Sequence, residues 1–190
     1  MRFTYGVALA ALVFAAGCGR QEKAEGLQLS QALTQKQGDF NSANAKEAAL
    51  VENARAVCAA ITTHGTGRGT ELAQNAGLVN SLAGSAVEVS THLSQVRQAI
   101  SDLSLSQEYT QGIRAALNTE LTRRQRFLQD VRSLLEQSAT DFLAFQKQKD
   151  FKGETIPDGI TKLDAVLQSY KAPPDTVGST LAELKTKYGL

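Results

Sequence analysis

The stretch Thr70–Leu103, "TELAQNAGLVNSLAGSAVEVSTHLSQVRQAISDL", decides the fold. Within it Leu72, Asn75, Val79, Leu82, Ala86, Val89, Leu93, Val96, Ile100 and Leu103 follow one another in unbroken steps of three and four residues. That spacing keeps every such side chain on one helical stripe, the seam of a helix packed lengthwise on another. At 1.5 Å per residue, a helix over 70–103 would be about 50 Å long. Gly77, Ala83, Gly84 and Ser85 beside the stripe are small enough to let a second backbone approach.

Working outward, Phe40, Ala43, Leu50, Ala54, Val57 and Ile61 mark a helix over about 40–62. It ends at "THGTGRGT", where three glycines supply turn geometry. Downstream, Ser104 and Gln107 stand in capping-box spacing and predict a helix start there. The helix that follows, over about 106–149, carries Leu117, Leu121, Leu128, Val131, Leu135, Phe142 and Phe145, with Phe127, Leu134 and Leu143 broadening the stripe. A stripe that wide needs more than one neighbour, which favours a bundle over a two-stranded coil. The short link at 103–107 makes the two long helices antiparallel. After "KGETIPDG" come two short amphipathic pieces, Ile160 to Tyr170 and Val177 to Tyr188, separated by the rigid turn "KAPPD" with Pro174 near the start of the last helix. No β alternation and no repeat of 20–50 residues is present. The expected fold is all-α: an elongated antiparallel bundle of three main helices plus two short C-terminal ones.

At the N-terminus, Arg2 precedes the apolar run "YGVALAALVFAAG", too short for the roughly 20 residues of a spanning helix. A basic start, a short apolar core and small residues at its end read as a cleaved export signal. Ala15-Ala16-Gly17-Cys18 resembles the lipobox of bacterial lipoproteins. The resemblance covers residues 1–18 and implies cleavage before Cys18, a diacylglycerol on its sulfur and an acyl chain on its new amino group. Anchoring then needs no spanning helix, because each buried CH₂ contributes about 0.8 kcal/mol and several chains act together. Gly19, rather than aspartate, after the cysteine favours the outer membrane, with the protein facing the periplasm. Braun's lipoprotein shares the lipobox and the heptads, but Lys185 and Lys187 in "KTKYGL" are not terminal, so its wall cross-link is not carried over. The expected organisation is a signal peptide at 1–17, a lipid-anchored tether at 18–39, rich in Gln, Lys and Glu and read as a free tether or a weak helix, and a bundle domain at 40–190.

Removing residues 1–17 leaves 173 of the 190 residues and takes one Arg and no acid, so 20 basic residues become 19 against 19 acidic. A neutral chain argues against nucleic acid as a partner. With Cys18 acylated, Cys58 in "RAVCAAI" is the remaining thiol and is expected to be buried.

Motifs for chemistry are thin. Gly65-x-Gly67-x-Gly69 lacks the order of a phosphate loop and reads as an interhelix turn. His64, His92 and Cys58 fall short of a zinc set, and Glu88 with His92 reads as a surface pair, so no metal is expected. Ser85 lies in no GxSxG, and no SxxK occurs. No cofactor and no catalytic residue is assigned. In "ELTRRQRFLQDVRSLLEQ", Glu120–Arg124, Arg126–Asp130 and Arg132–Glu136 are spaced to pair along the helix, which reads as a solvated face. The sharper alternative sets Arg114, Arg123, Arg124 and Arg126 against an anionic surface. Two function classes result: an envelope-anchored structural or interaction module docking a protein partner, and a carrier of a lipid or other apolar ligand lined by Leu128, Val131, Leu135, Phe142 and Phe145. A hydrolase without a recognisable motif comes third.

Overall fold

A computed structural model describes the backbone of residues 5–190 and the side chains of residues 19–190. The chain is all-α, with three long helices, α1 (Tyr5–His64), α2 (Thr70–Ser101) and α3 (Glu108–Gln146), and two short ones, α4 (Asp158–Gln168) and α5 (Thr176–Tyr188). No strand occurs among the described residues, and no helix there is long and apolar enough to cross a membrane. The chain forms two compact units. Unit 1 holds residues up to Gly38 with Gln95–Leu121 and Asp175–Leu190; unit 2 holds Asp39–Ser94 and Thr122–Pro174.

In unit 2 the predicted seams are the core. Phe40, Ala43, Leu50, Ala54, Val57 and Ile61 of α1 are buried, as are Leu72, Val79, Leu82, Ala86, Val89 and Leu93 of α2. Each such large side chain contributes roughly 1.5–3 kcal/mol on leaving water. Neighbouring helices run antiparallel: Asp39 faces His92 while Lys46 pairs with Glu88, and Gln125 donates to Ser94 while Gln146 donates to the Gly69 carbonyl. Asn75 departs from the expected seam. Ala76 takes the buried place, and Asn75 donates instead to the Thr66 carbonyl at 3.0 Å. Gly65, Gly67 and Gly69 all have positive φ, and the turn they make is tied to the 150s by the Thr66 amide on the Gly153 carbonyl.

The short α4 buries Ile160, Leu163 and Leu167 in unit 2. It approaches α3 closely because Gly159 has no side chain: a Cβ there would lie 2.8 Å from the Leu134 carbonyl oxygen. At its other end, Arg55 of α1 donates to the Leu167 carbonyl at 2.6 Å.

In unit 1, the stretch expected to be a tether or a weak helix is helical and packed. Residues 19–38 continue α1, and Leu29 and Leu33, one turn apart, are fully buried. The stretch looked weak because polar residues hold several inward positions, Glu25 and Ser30 among them. Val96, Ile100, Leu117 and Leu121 complete the core with Val177, Leu181, Leu184 and Tyr188 of α5. α5 starts at Asp175, whose side chain accepts from the Gly178 amide, and stops at Gly189 in the left-handed conformation. The Cys18 side chain lies outside the described residues.

Candidate functional site

Each unit holds one buried carboxylate, and both break the apolar register of α1. In unit 2 the seams of α1 and α3 each skip a step, between Ala43 and Leu50 and between Leu121 and Leu128. Those places are held by Glu47 and Arg124, 1% and 2% exposed. Glu47 Oε2 accepts from Arg124 Nε at 2.9 Å and Nη2 at 2.6 Å, while its Oε1 accepts from the Tyr170 hydroxyl at 3.0 Å. The Arg124 guanidinium lies 5.2 Å from the centre of the Phe40 ring, and Tyr170 stacks on Phe127 at 4.9 Å. Burial, and the neighbouring Glu47 charge and hydrogen bond, push the Tyr170 phenol well above its ordinary pKa. Beside this pair lies a cavity of about 200 Å³, lined by Glu47, Arg123, Arg124, Phe127, Ser169, Tyr170 and Lys171.

In unit 1, Glu25 caps α3 from another helix. Its carboxylate accepts from the Ser106 amide and hydroxyl, the Gln107 amide and the Thr110 hydroxyl, all at 2.7–3.1 Å. The unpaired amides and positive end of a helix favour an anion there. Burial by itself would raise this carboxyl pKa, but the bonds from Thr110, Gln107 and Ser106 outweigh it and bring it down to about 2. This replaces the capping box expected at Ser104 and Gln107. Nearby, Tyr188 donates to Glu22 at 2.9 Å, Lys187 bridges to Glu22 at 2.8 Å, and Tyr109 donates to Glu183.

The structure separates the four arginines. Arg124 is buried and held by Glu47, not by Glu120, so it cannot meet an anionic surface. Arg114 is half-buried and donates to the Leu103 carbonyl at 2.8 Å. Arg123 and Arg126 are exposed. Arg132 and Glu136 pair as their spacing predicts, at 2.7 Å. Glu88 pairs with Lys46 of α1, whereas His92 turns its Nδ1 toward Asp39 at 3.8 Å.

Of the residues considered for an apolar ligand, Leu128, Val131, Leu135 and Phe142 are at most 1% exposed and pack as core. Phe145 is half-buried and stacks on Phe151 at 4.7 Å. Leu128 borders a groove of about 190 Å³ whose other walls are largely polar, including Ser90, Thr91, Ser94, Gln129 and Arg132. This arrangement gives no support to a lipid-sized apolar chamber in that part of unit 2. Cys58 is buried, and burial followed by the charge of Asp164 pushes its thiol up to about 11. Among the described residues no group of three or more His, Cys, Asp or Glu is placed to hold a metal.

Glu47, Tyr170, Ser169 and Lys171 were missed from the sequence, although the two skipped seam steps, one acidic and one basic, were a visible signal for the pair. No known family profile matches the chain, and no curated protein or solved structure is significantly similar to it.

Proposed function

We propose that this chain is a lipid-anchored helical module of the bacterial cell envelope that acts by binding or holding a partner. The observation that carries the reading is Ala15-Ala16-Gly17-Cys18 closing a short apolar run behind Arg2. Gly19 points the anchored chain to the outer membrane, facing the periplasm. Its folded body supports the reading in one further respect. Gln21 donates to Ser106 at 2.8 Å and Glu22 accepts from Tyr188, so the chain is already packed three residues after Cys18. Acyl chains on Cys18 would hold unit 1 directly at the headgroups, with no free tether between them. A docked base of this kind suits a rigid envelope component, such as an accessory of a protein assembly.

Intact mass of the chain extracted from membranes tests the anchor. The expected mass begins at Cys18 and includes acyl chains, and Cys18→Ser leaves an uncleaved or unacylated precursor. Unchanged processing of Cys18→Ser, or a mature chain with a free Cys18 thiol, would overturn the anchored reading.

A further inference from the structure

Arg124 carries five N–H donors, and Glu47 engages only Nε and Nη2. Its Nη1 is buried without a hydrogen-bond partner, an arrangement that costs stability unless an acceptor reaches it. Arg124 also lines the cavity of about 200 Å³, together with the exposed Lys171 and the half-buried Phe127. Glu47 offsets Arg124, and Lys171 adds a further positive charge to the lining.

We infer that this cavity in unit 2 is a binding site for a small carboxylate, whose oxygens meet Arg124 and Lys171 while its apolar body rests against Phe127. The volume falls below the roughly 300–1,000 Å³ of drug-sized sites, so the ligand is a short acid or the last residue of a chain. Carboxylate is favoured over phosphate because Glu47 offsets one of the two charges of Arg124 and Lys171, and a monoanion matches the one that is left. The planar fork of an arginine also matches the two oxygens of a carboxylate. This inference is independent of the lipid anchor.

The test is a titration of the full mature chain in detergent, followed by the side-chain NMR signals of Arg124 and the amides of Ser169, Tyr170 and Lys171. Propionate represents a free acid and acetyl-alanyl-alanine a chain terminus; their amides, chloride and inorganic phosphate serve as comparisons at constant ionic strength. Saturable shifts confined to these residues with one or both carboxylates, and not with the amides or chloride, are expected. Which of the two binds more tightly identifies the source. Lys171→Gln, on an exposed side chain, should weaken binding roughly two- to fivefold while leaving the unfolding midpoint unchanged. Equal shifts with amide and acid, tighter binding of phosphate, no saturable shift at all, or full affinity in Lys171→Gln would each overturn the inference.

Discussion

Glu25 and Glu47 are both buried carboxylates of α1, but they are neutralised by different means. Glu47 in unit 2 faces a full opposite charge, while Glu25 in unit 1 is held by neutral hydroxyls and amides at the start of α3. The charged pair depends on both members, since removing one strands the other in a medium that cannot solvate it. The neutral cap distributes its charge over five donors, the Gln21 side-chain amide included, and is lost gradually. In unit 2, therefore, single substitutions should be severe and a matched double substitution mild. In unit 1 the response should follow pH.

The largest expected effect tests the first half of that contrast. Glu47→Leu should cost about 3–5 kcal/mol by leaving Arg124 buried and unpaired, and Glu47→Leu with Arg124→Met should recover most of the loss. Urea unfolding of the two variants measures it. A single-variant loss below about 1 kcal/mol would mean that Arg124 reaches water through the adjoining cavity, and the contrast with Glu25 would fall.

Next in size are the seams that both units share. Leu93→Ala in unit 2 and Ile100→Ala in unit 1 remove fully buried side chains, and each should cost about 2–5 kcal/mol. Thermal unfolding checks this. A loss below about 0.5 kcal/mol at either place would show a seam that can collapse around the missing atoms, and would rank that unit as the looser of the two.

For Glu25 the sign of the pH effect follows from its lowered carboxyl pKa. A carboxyl at about 2 when folded and near 4.5 when unfolded contributes stability that is fully present above about pH 4.5 and is lost as pH falls toward 2. Glu25→Gln should cost about 1–3 kcal/mol at neutral pH, because the amide turns a donor toward donors. It should also flatten the fall in stability between pH 4.5 and 2. An unchanged acid limb in Glu25→Gln would assign the cap of α3 to some other group.

How far this contrast could be read from the sequence depends on where the partners lie. The seams of α2 and α3 were largely legible because local periodicity alone determines which residues share a stripe, and most of those residues are buried; Asn75, Leu103 and Phe145 are only half-buried, and Leu143 is exposed. Residues 19–39 were not legible as packed helix. Their inward positions include Glu25 and Ser30, and the groups that satisfy Glu25 stand some 80 positions away on Ser106, Gln107 and Thr110. Arg124 illustrates the same limit. Helical spacing offers it Glu120 on its own helix, but a buried guanidinium needs a buried acceptor, and that comes from Glu47 on α1. The cavity beside it is built from the start of one connection and the middle of two helices, a grouping that no spacing rule contains.

The smallest effects belong to two glycines where helices approach closely, and they separate the units by what stands opposite. At Gly159 in unit 2 an added Cβ meets the Leu134 carbonyl oxygen at 2.8 Å, which is helical backbone and cannot turn aside. At Gly26 in unit 1 it meets the Tyr188 ring at 2.2 Å, a closer contact, but with a side chain on the last turn of α5 that can swing away at the cost of its bond to Glu22. Overpacking against fixed backbone costs about 1–3 kcal/mol, so Gly159→Ala should lose that much. Gly26→Ala lies inside a long helix, where alanine gains about 0.5–1 kcal/mol over glycine, and that gain largely offsets one lost hydrogen bond of about 0.5–1.5 kcal/mol. Its net change should stay below about 1 kcal/mol, accompanied by a loss of tyrosine near-ultraviolet circular dichroism that Gly159→Ala does not show. If Gly26→Ala proves the more damaging, the Tyr188 ring is fixed as firmly as backbone, and α5 belongs to the core of unit 1 as fully as α4 belongs to that of unit 2.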